Sequence, residues 1–235
     1  MLLYLIASAV SLLSTAFLFR GRISDLYFGE IFDTRLMIVL HEHWFRFFTG
    51  KTSFLDAEFF YPYPRSFALT DTFLLTGVTH SFFRLFRVNI VDAWAISQFI
   101  WIFVGLIGWF FLAKTFLSNK TLQILIIPLI ATSFPFVAHL NERPNVIPYL
   151  LSSWVFFFLI KFYQTELKKE TTYYASLFII SLPLIVLTSW YAGFFVIFYL
   201  VFLSIFILLF HRTLAKAFLQ KVKFLSIIQN FMGIS

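Results

Sequence analysis

The sequence predicts an all-α membrane protein of about six transmembrane helices, with a long first outer loop that carries two juxtamembrane amphipathic helices. Three observations predict it. Charged residues are 12% of the chain and hydrophobic ones 60%, against about 25% charged in an ordinary soluble domain, so polar groups are too few to cover a water-facing surface. Apolar runs of membrane-spanning length recur along the chain, since a span needs ~20 mainly apolar residues. Lys and Arg gather in alternate connections between those runs, the pattern of cytoplasmic loops. Mean hydropathy of +0.88 agrees with lipid as the main solvent. The net charge of +7 is therefore read as topology, not as a nucleic-acid footprint. With no cysteine, disulfides, thiolate metal sites and a cysteine nucleophile are excluded.

The first apolar run covers 2–19. No Lys or Arg precedes it, and Phe19-Arg20-Gly21-Arg22 is a poor cleavage site, so it reads as a retained helix and not a signal peptide. Five further spans are expected at about 91–114, 121–138, 146–160, 172–189 and 191–210. The last two form one apolar stretch, too long at ~1.5 Å per residue for a ~30 Å hydrocarbon core. It must fold back, and Ser189-Trp190-Tyr191-Ala192-Gly193 is the expected break, with Trp190 and Tyr191 as interfacial anchors. Together 1–223 form one transmembrane domain, and 224–235 is a C-terminal tail. No internal repeat is visible, unlike transporter folds built from repeats.

Lys114 and Lys120 flank one connection, Lys161, Lys168 and Lys169 lie in another, and His211, Arg212, Lys216, Lys221 and Lys223 follow the last span. These alternate segments are expected inside, together with the N-terminus. The segments 20–90, 139–145 and the Trp190 turn are then outside. Localisation in a bacterial inner (plasma) membrane is the expectation.

The loop 20–90 is long enough to be functional, and its Phe, Tyr and Trp content argues for order. An amphipathic helix is legible over 34–48, where Leu36, Val39, Leu40, His43 and Phe47 recur at helical spacing and Gly50 is the expected stop. A second runs over 72–87, with Asp71 as its expected N-cap. On it Thr76, His80, Arg84 and Arg87 line one face, while Leu74, Leu75, Val78, Phe82, Phe83 and Phe86 cover the rest. Between them Phe59-Phe60-Tyr61-Pro62-Tyr63-Pro64 reads as extended. The acidic residues gather here and at its end: Asp25, Glu30, Asp33, Glu42, Asp56, Glu58, Asp71 and Asp92. A carboxylate at a membrane interface is a candidate base or cation ligand.

Gly29-Glu30-Ile31-Phe32-Asp33-Thr34-Arg35 resembles the Gly-Asp-x-x-Asp-x-Arg stretch that opens the first outer loop in a group of bacterial membrane proteins of the GT-C glycosyltransferase superfamily. The likeness continues through Leu40-His41-Glu42-His43, Ser53-Phe54-Leu55-Asp56-Ala57, the Phe59–Pro64 segment and Thr70-Asp71. It is weaker at Ala138-His139-Leu140-Asn141 and Ser189-Trp190-Tyr191, and in all it covers roughly 20–195. The resemblance implies transfer of a sugar from a polyprenyl-phosphate carrier to an acceptor on the outer face. It implies Glu30 and Asp33 as catalytic carboxylates or ligands of a divalent cation (Mg or Mn), with Arg35 matching the family arginine. Glu30 stands where the family has Asp. Relatives continue through further spans beyond the point matching Ser235, so a truncated gene is one expectation.

The residues fit that chemistry. Transfer to a hydroxyl or amide needs a carboxylate to take the proton, and a leaving phosphate needs positive charge, for which Arg35, His80, Arg84 and Arg87 are the candidates. The partners expected are the lipid-linked sugar and membrane lipids. The plainer readings are solvated charges at Glu30 and Asp33, and a basic stripe meeting anionic headgroups at His80, Arg84 and Arg87. His41 and His43, two apart, point about 200° apart on a helix and cannot hold one metal together. Glu142, in the outer segment 139–145, is a second candidate ligand or a solvated turn. Two other functions compete: a flippase or transport component, which would want ionisable residues within the spans, and a non-catalytic or truncated subunit. Gln98 and Gln123 are the most polar side chains inside the spans, which disfavours transport.

Overall fold

The computed structural model describes residues 1–19, 31–57, 65–133 and 147–231. Of these, 84% are α-helical and none lies in a strand. The helices are α1 (Leu2–Phe19), α2 (Ile31–Phe48), α3 (Leu74–Leu85), α4 (Ile90–Phe116), α5 (Lys120–Ala131), α6 (Ile147–Gln164), α7 (Lys168–Thr188), α8 (Trp190–Phe210) and α9 (Arg212–Phe231), with a short 3-10 turn at Ser66–Leu69. Five of them, α1, α4, α6, α7 and α8, are long and apolar enough to cross a membrane. The segment expected as the third span is described as α5 and a turn up to residue 133, and its remainder, with Pro135, lies outside the described residues.

Local chemistry sets the ends. Asn89 accepts from the Asp92 N–H at 2.8 Å and opens α4. Asn119 accepts from Thr121 N–H at 2.8 Å and opens α5. Such caps satisfy backbone donors that the first turn leaves open. Gly50, at φ +71°, closes α2 as expected. Its N–H bonds Phe47 O while Lys51 N–H reaches Arg46 O, the paired bonds of a left-handed helix stop. The long apolar stretch breaks at Ser189, whose hydroxyl accepts from Ala192 N–H and starts α8.

Contacts between helices give their directions. Lys114, at the end of α4, bonds Tyr4 Oη near the start of α1 and lies 4.5 Å above its ring, so α1 and α4 are antiparallel. Gly105 of α4 meets Leu150 of α6, and Gly108 meets Ser153 and Trp154, so α4 and α6 run the same way. The 71–75 segment meets the α7–α8 turn at the opposite end from Tyr4. One end of the molecule therefore gathers α2, α3 and the α7–α8 turn. The other gathers Tyr4, Lys114 and the end of α6.

Helix α4 is the centre. Trp94, Ile102, Leu106 and Phe110 are fully or almost fully buried, packed with Ala7 and Leu18 of α1, Ile127 of α5 and Leu150 of α6. Lipid tails give no hydrophobic drive to helix association, so close approach and hydrogen bonds must supply it. Gly105 and Gly108 let α6 lie against α4: a Cβ on Gly105 would come within 3.2 Å of the Leu150 carbonyl carbon. Trp154 Nε1 then donates to Val104 O at 2.9 Å. Outward, α8 leaves Phe194, Phe198, Phe202 and Phe206 exposed, a surface suited to hydrocarbon and not to water.

Replacing Gly105 by Val forces a branched side chain into the space of Leu150. We expect a loss of about 1–3 kcal/mol, the range for overpacking a filled interior, read as a lower thermal midpoint in detergent. Leu129→Val, on an exposed part of α5, is the control and should leave the midpoint unchanged.

Candidate functional site

Helices α2 and α3 pack on each other and on α4. Helix α2 buries Met37, Leu40 and Trp44, but the burial of α3 is the reverse of that of a water-exposed amphipathic helix. On α3, Thr76, Gly77, His80 and Ser81 are buried, whereas Val78, Phe82, Leu85 and Phe86 are exposed. The stripe of Thr76, His80 and Arg84 thus turns inward onto α2, because a carboxylate on α2 needs its donors. Gly77 permits the approach: a Cβ there would overlap the Trp44 indole.

That carboxylate is Glu42. Arg84 donates to it through Nε at 2.8 Å and through a terminal nitrogen at 3.0 Å, and its other terminal nitrogen donates to Val88 O. His80 Nε2 donates to Glu42 Oε2 at 3.0 Å. Burial alone would raise the Glu42 pKa, but the His80 and Arg84 bonds outweigh it and hold the carboxyl below its usual range. Burial pushes the His80 imidazole down, with the Glu42 bond offsetting part of the shift. His80 is therefore a neutral donor, and its Nδ1 is buried without a hydrogen-bond partner among the described residues.

His41, one residue earlier, faces α4. Its Nδ1 is 2.6 Å from Met37 O, an acceptor only, so Nδ1 carries the proton. Nε2 then accepts, with Thr76 Oγ1 at 2.8 Å and Gln98 Nε2 at 3.2 Å. Gln98, the most polar side chain in the interior of the second span, serves a loop helix. Burial, then the neighbouring His80, push the His41 pKa down to about 3, with the Met37 carbonyl offsetting part. His43 points elsewhere, to Phe54 O at 2.8 Å.

Asp71 is the main correction to the sequence reading. It is not the N-cap of the second loop helix, which starts at Leu74 after Phe73 with no side-chain cap. Its carboxylate caps α8 instead, accepting from Trp190 N–H at 2.6 Å and from Ser189 Oγ at 3.1 Å. Phe73 N–H bonds Thr188 O at 3.0 Å, Leu75 N–H bonds Thr188 Oγ1 at 3.3 Å, and Thr72 Oγ1 bonds Leu187 O. The 71–75 segment is thus stitched to the α7–α8 turn. Burial raises the Asp71 pKa, and the Trp190, Ser189 and Tyr191 bonds offset part of the rise. Asp56 closes the loop ahead of it, with its Oδ2 bonded to the Ser53 hydroxyl and its Oδ1 accepting from Arg65 N–H at 3.0 Å.

Of the expected site residues, the structure brings His80 and Arg84 together, around Glu42. Arg35 is exposed on α2 and Arg87 is exposed just past α3, at φ +62°. Asp33 lies in the first turn of α2, but its side chain, all of Glu30, the 59–64 segment and Glu142 lie outside the described residues. Among the described residues no three His, Asp or Glu gather as metal ligands. Sequence reasoning missed Glu42 as the centre. The four-residue spacing of His80 and Arg84, which lets both reach one carboxylate, was the available signal. Comparison with family models, with curated proteins and with solved structures gives no match.

Glu42→Ala leaves Arg84 without its counter-charge and His80 Nε2 without its acceptor. We expect about 3 kcal/mol of destabilisation, at the lower end of the range for breaking a buried pair because Glu42 and Arg84 are 18% and 23% exposed. The pH dependence has a sign. The unfolded chain protonates His41 near its ordinary 6.5 and the folded chain only near 3, so this contribution to stability is present above pH 6.5 and lost as pH falls toward 3. His80 and Glu42, both shifted down, act in the same direction, and Asp71, shifted up, opposes them. His41→Asn keeps the donor to Met37 O and should flatten the fall in thermal midpoint between pH 7 and about 5. An unchanged slope in that variant refutes the assignment.

Proposed function

We propose that the chain is a membrane glycosyltransferase that moves a sugar from a polyprenyl-phosphate carrier to an acceptor on the outer face. One observation carries most weight on the structural side. Residues 31–35 of the Glu30–Arg35 segment belong to α2, and α2 is clamped to α3 by the half-buried Glu42 cluster and to α4 by Gln98. A rigid platform behind a catalytic carboxylate is what transfer needs, since holding groups in reacting geometry lowers the barrier. The resemblance of residues 29–35 to the GT-C loop supports the chemistry.

In this reading Glu30 takes the acceptor proton, and Asp33 assists it or shares a divalent cation. The exposed Arg35 and Arg87 meet the carrier phosphate, while His80 and Arg84 position Glu42 and so hold α2. The end bearing Tyr4, Lys114, Lys120 and Arg212 is cytoplasmic by its positive charge, in a bacterial inner membrane. That leaves α2, α3 and the Trp190 turn outside as juxtamembrane elements, with α5 as the start of a sixth span.

The test is consumption of labelled polyprenyl-phosphate sugars by membranes expressing the chain. We expect donor loss with the parent chain and none with Glu30→Gln at equal membrane content. Arg87→Gln should raise KM for the donor more than it lowers kcat. Full transfer by Glu30→Gln removes Glu30 from the mechanism. No consumption of any donor by the parent chain overturns the enzyme reading and favours a non-catalytic subunit.

A further inference from the structure

Helix α9 starts one residue after the last span ends, with only His211 between them. Whatever its described charged side chains touch must lie near that face of the membrane. Its sequence, RTLAKAFLQKVKFLSIIQNF, contains four Lys or Arg and no Asp or Glu. One side of the helix is fixed against the protein. Ala215 is buried, the Phe218 ring meets Phe162 edge-on with centroids 5.7 Å apart, and Lys221 caps the end of α6. Its Nζ donates to Thr165 O at 2.7 Å and Phe162 O at 3.3 Å, and also to Tyr163 O. A cation on the last carbonyls of a helix meets their negative end, so these contacts fix the roll of α9.

With that roll set, Arg212 and Lys216 fall on the other side. They are four residues apart and so neighbours on one face. Lys216 is about 200° from Phe218 around the helix. Both cations are exposed, and neither has an acidic partner among the described residues. Leu219, 52% exposed, is seven residues from Arg212 and three from Lys216 and so shares their face. An acidic protein or a nucleic acid would use the two charges but not the leucine. A bilayer surface uses both, since headgroups take the cations and the acyl boundary takes the apolar side chain beside them. We propose that this side of α9 is a docking surface for anionic phospholipid headgroups. The proposal does not rest on the glycosyl-transfer reading.

The chain has no cysteine, so Leu219→Cys provides a single labelling point for a fluorophore on the full chain. The protein is reconstituted in phosphatidylcholine vesicles and titrated with brominated phosphatidylglycerol or brominated phosphatidylcholine as quencher. Preferential quenching by phosphatidylglycerol is the expected result. The double variant Arg212→Gln, Lys216→Gln should weaken that preference by roughly thirty-fold, about five-fold per basic residue. The charge-keeping pair Arg212→Lys, Lys216→Arg should retain it and shows that the helix still forms. Equal quenching by the two lipids in the parent, or an undiminished preference in the neutral double variant, overturns the proposal. So does a label released by a soluble acidic polymer but indifferent to vesicle composition.

Discussion

A carboxylate held between two helices has to be neutralised from within the protein, because the alternative is a charge taken out of water with nothing to replace it. Glu42 sits in that position, and the arrangement of the loop layer follows from it. Arg84 and His80, one turn apart on α3, can both reach it only if the polar face of α3 turns toward α2. Once it does, the exposed face is left with Val78, Phe82, Leu85 and Phe86. Helix α3 is therefore polar toward α2 and apolar outward, while Met37, Leu40 and Trp44 of α2 pack with Phe67 and Phe73 in an apolar core beside it. The second polar chain, His41 with Thr76 and Gln98, extends the same logic to α4. Gln98 would otherwise carry an unpaired amide in a membrane span, and His41 would be a buried ring with no donor.

The spans obey a different constraint. Between apolar helices in lipid, association comes from fit and from hydrogen bonds that small residues permit. The α4–α6 contact shows both, with Gly105 and Gly108 opposite Leu150 and Ser153 and the Trp154 indole reaching the Val104 carbonyl. Helix α8 has no such partner surface on most of its circumference. Its edge position and its row of exposed phenylalanines belong together.

The five helices long and apolar enough to cross a membrane were legible because hydrophobic length is a one-dimensional property. The need for a break followed from length, as no bilayer is thick enough for the uninterrupted stretch, and its place at Ser189 from the interfacial aromatics and glycine that follow. The stop at Gly50 was legible because a left-handed residue is a local requirement. Asp71 was misread for the same reason: an N-cap pattern describes only neighbours, and this carboxylate serves a helix more than a hundred residues later. The inward turn of His80 and Arg84 was half legible. Their spacing says that they share a face, but not which way the face points, and Glu42 lies in a separate helix. Helix α9 runs to Phe231, through the boundary expected at 223/224. Its anchor, Lys221 on the α6 carbonyls, is again a contact between distant segments.

The clasp between Asp71 and the α7–α8 turn also bears on how the molecule is made. A chain threaded into the membrane from its N-terminus exposes residues 71–75 long before residues 187–190 are synthesised. Until the α7–α8 hairpin arrives, the Phe73 and Leu75 amides and the Asp71 carboxylate lack the partners they have in the finished fold. The layer of α2 and α3 is thus completed last, although it is encoded early. A nascent chain arrested before Trp190 would hold α2 and α3 together through Glu42 but leave their connection to the bundle open, as a site for proteases or assembly factors.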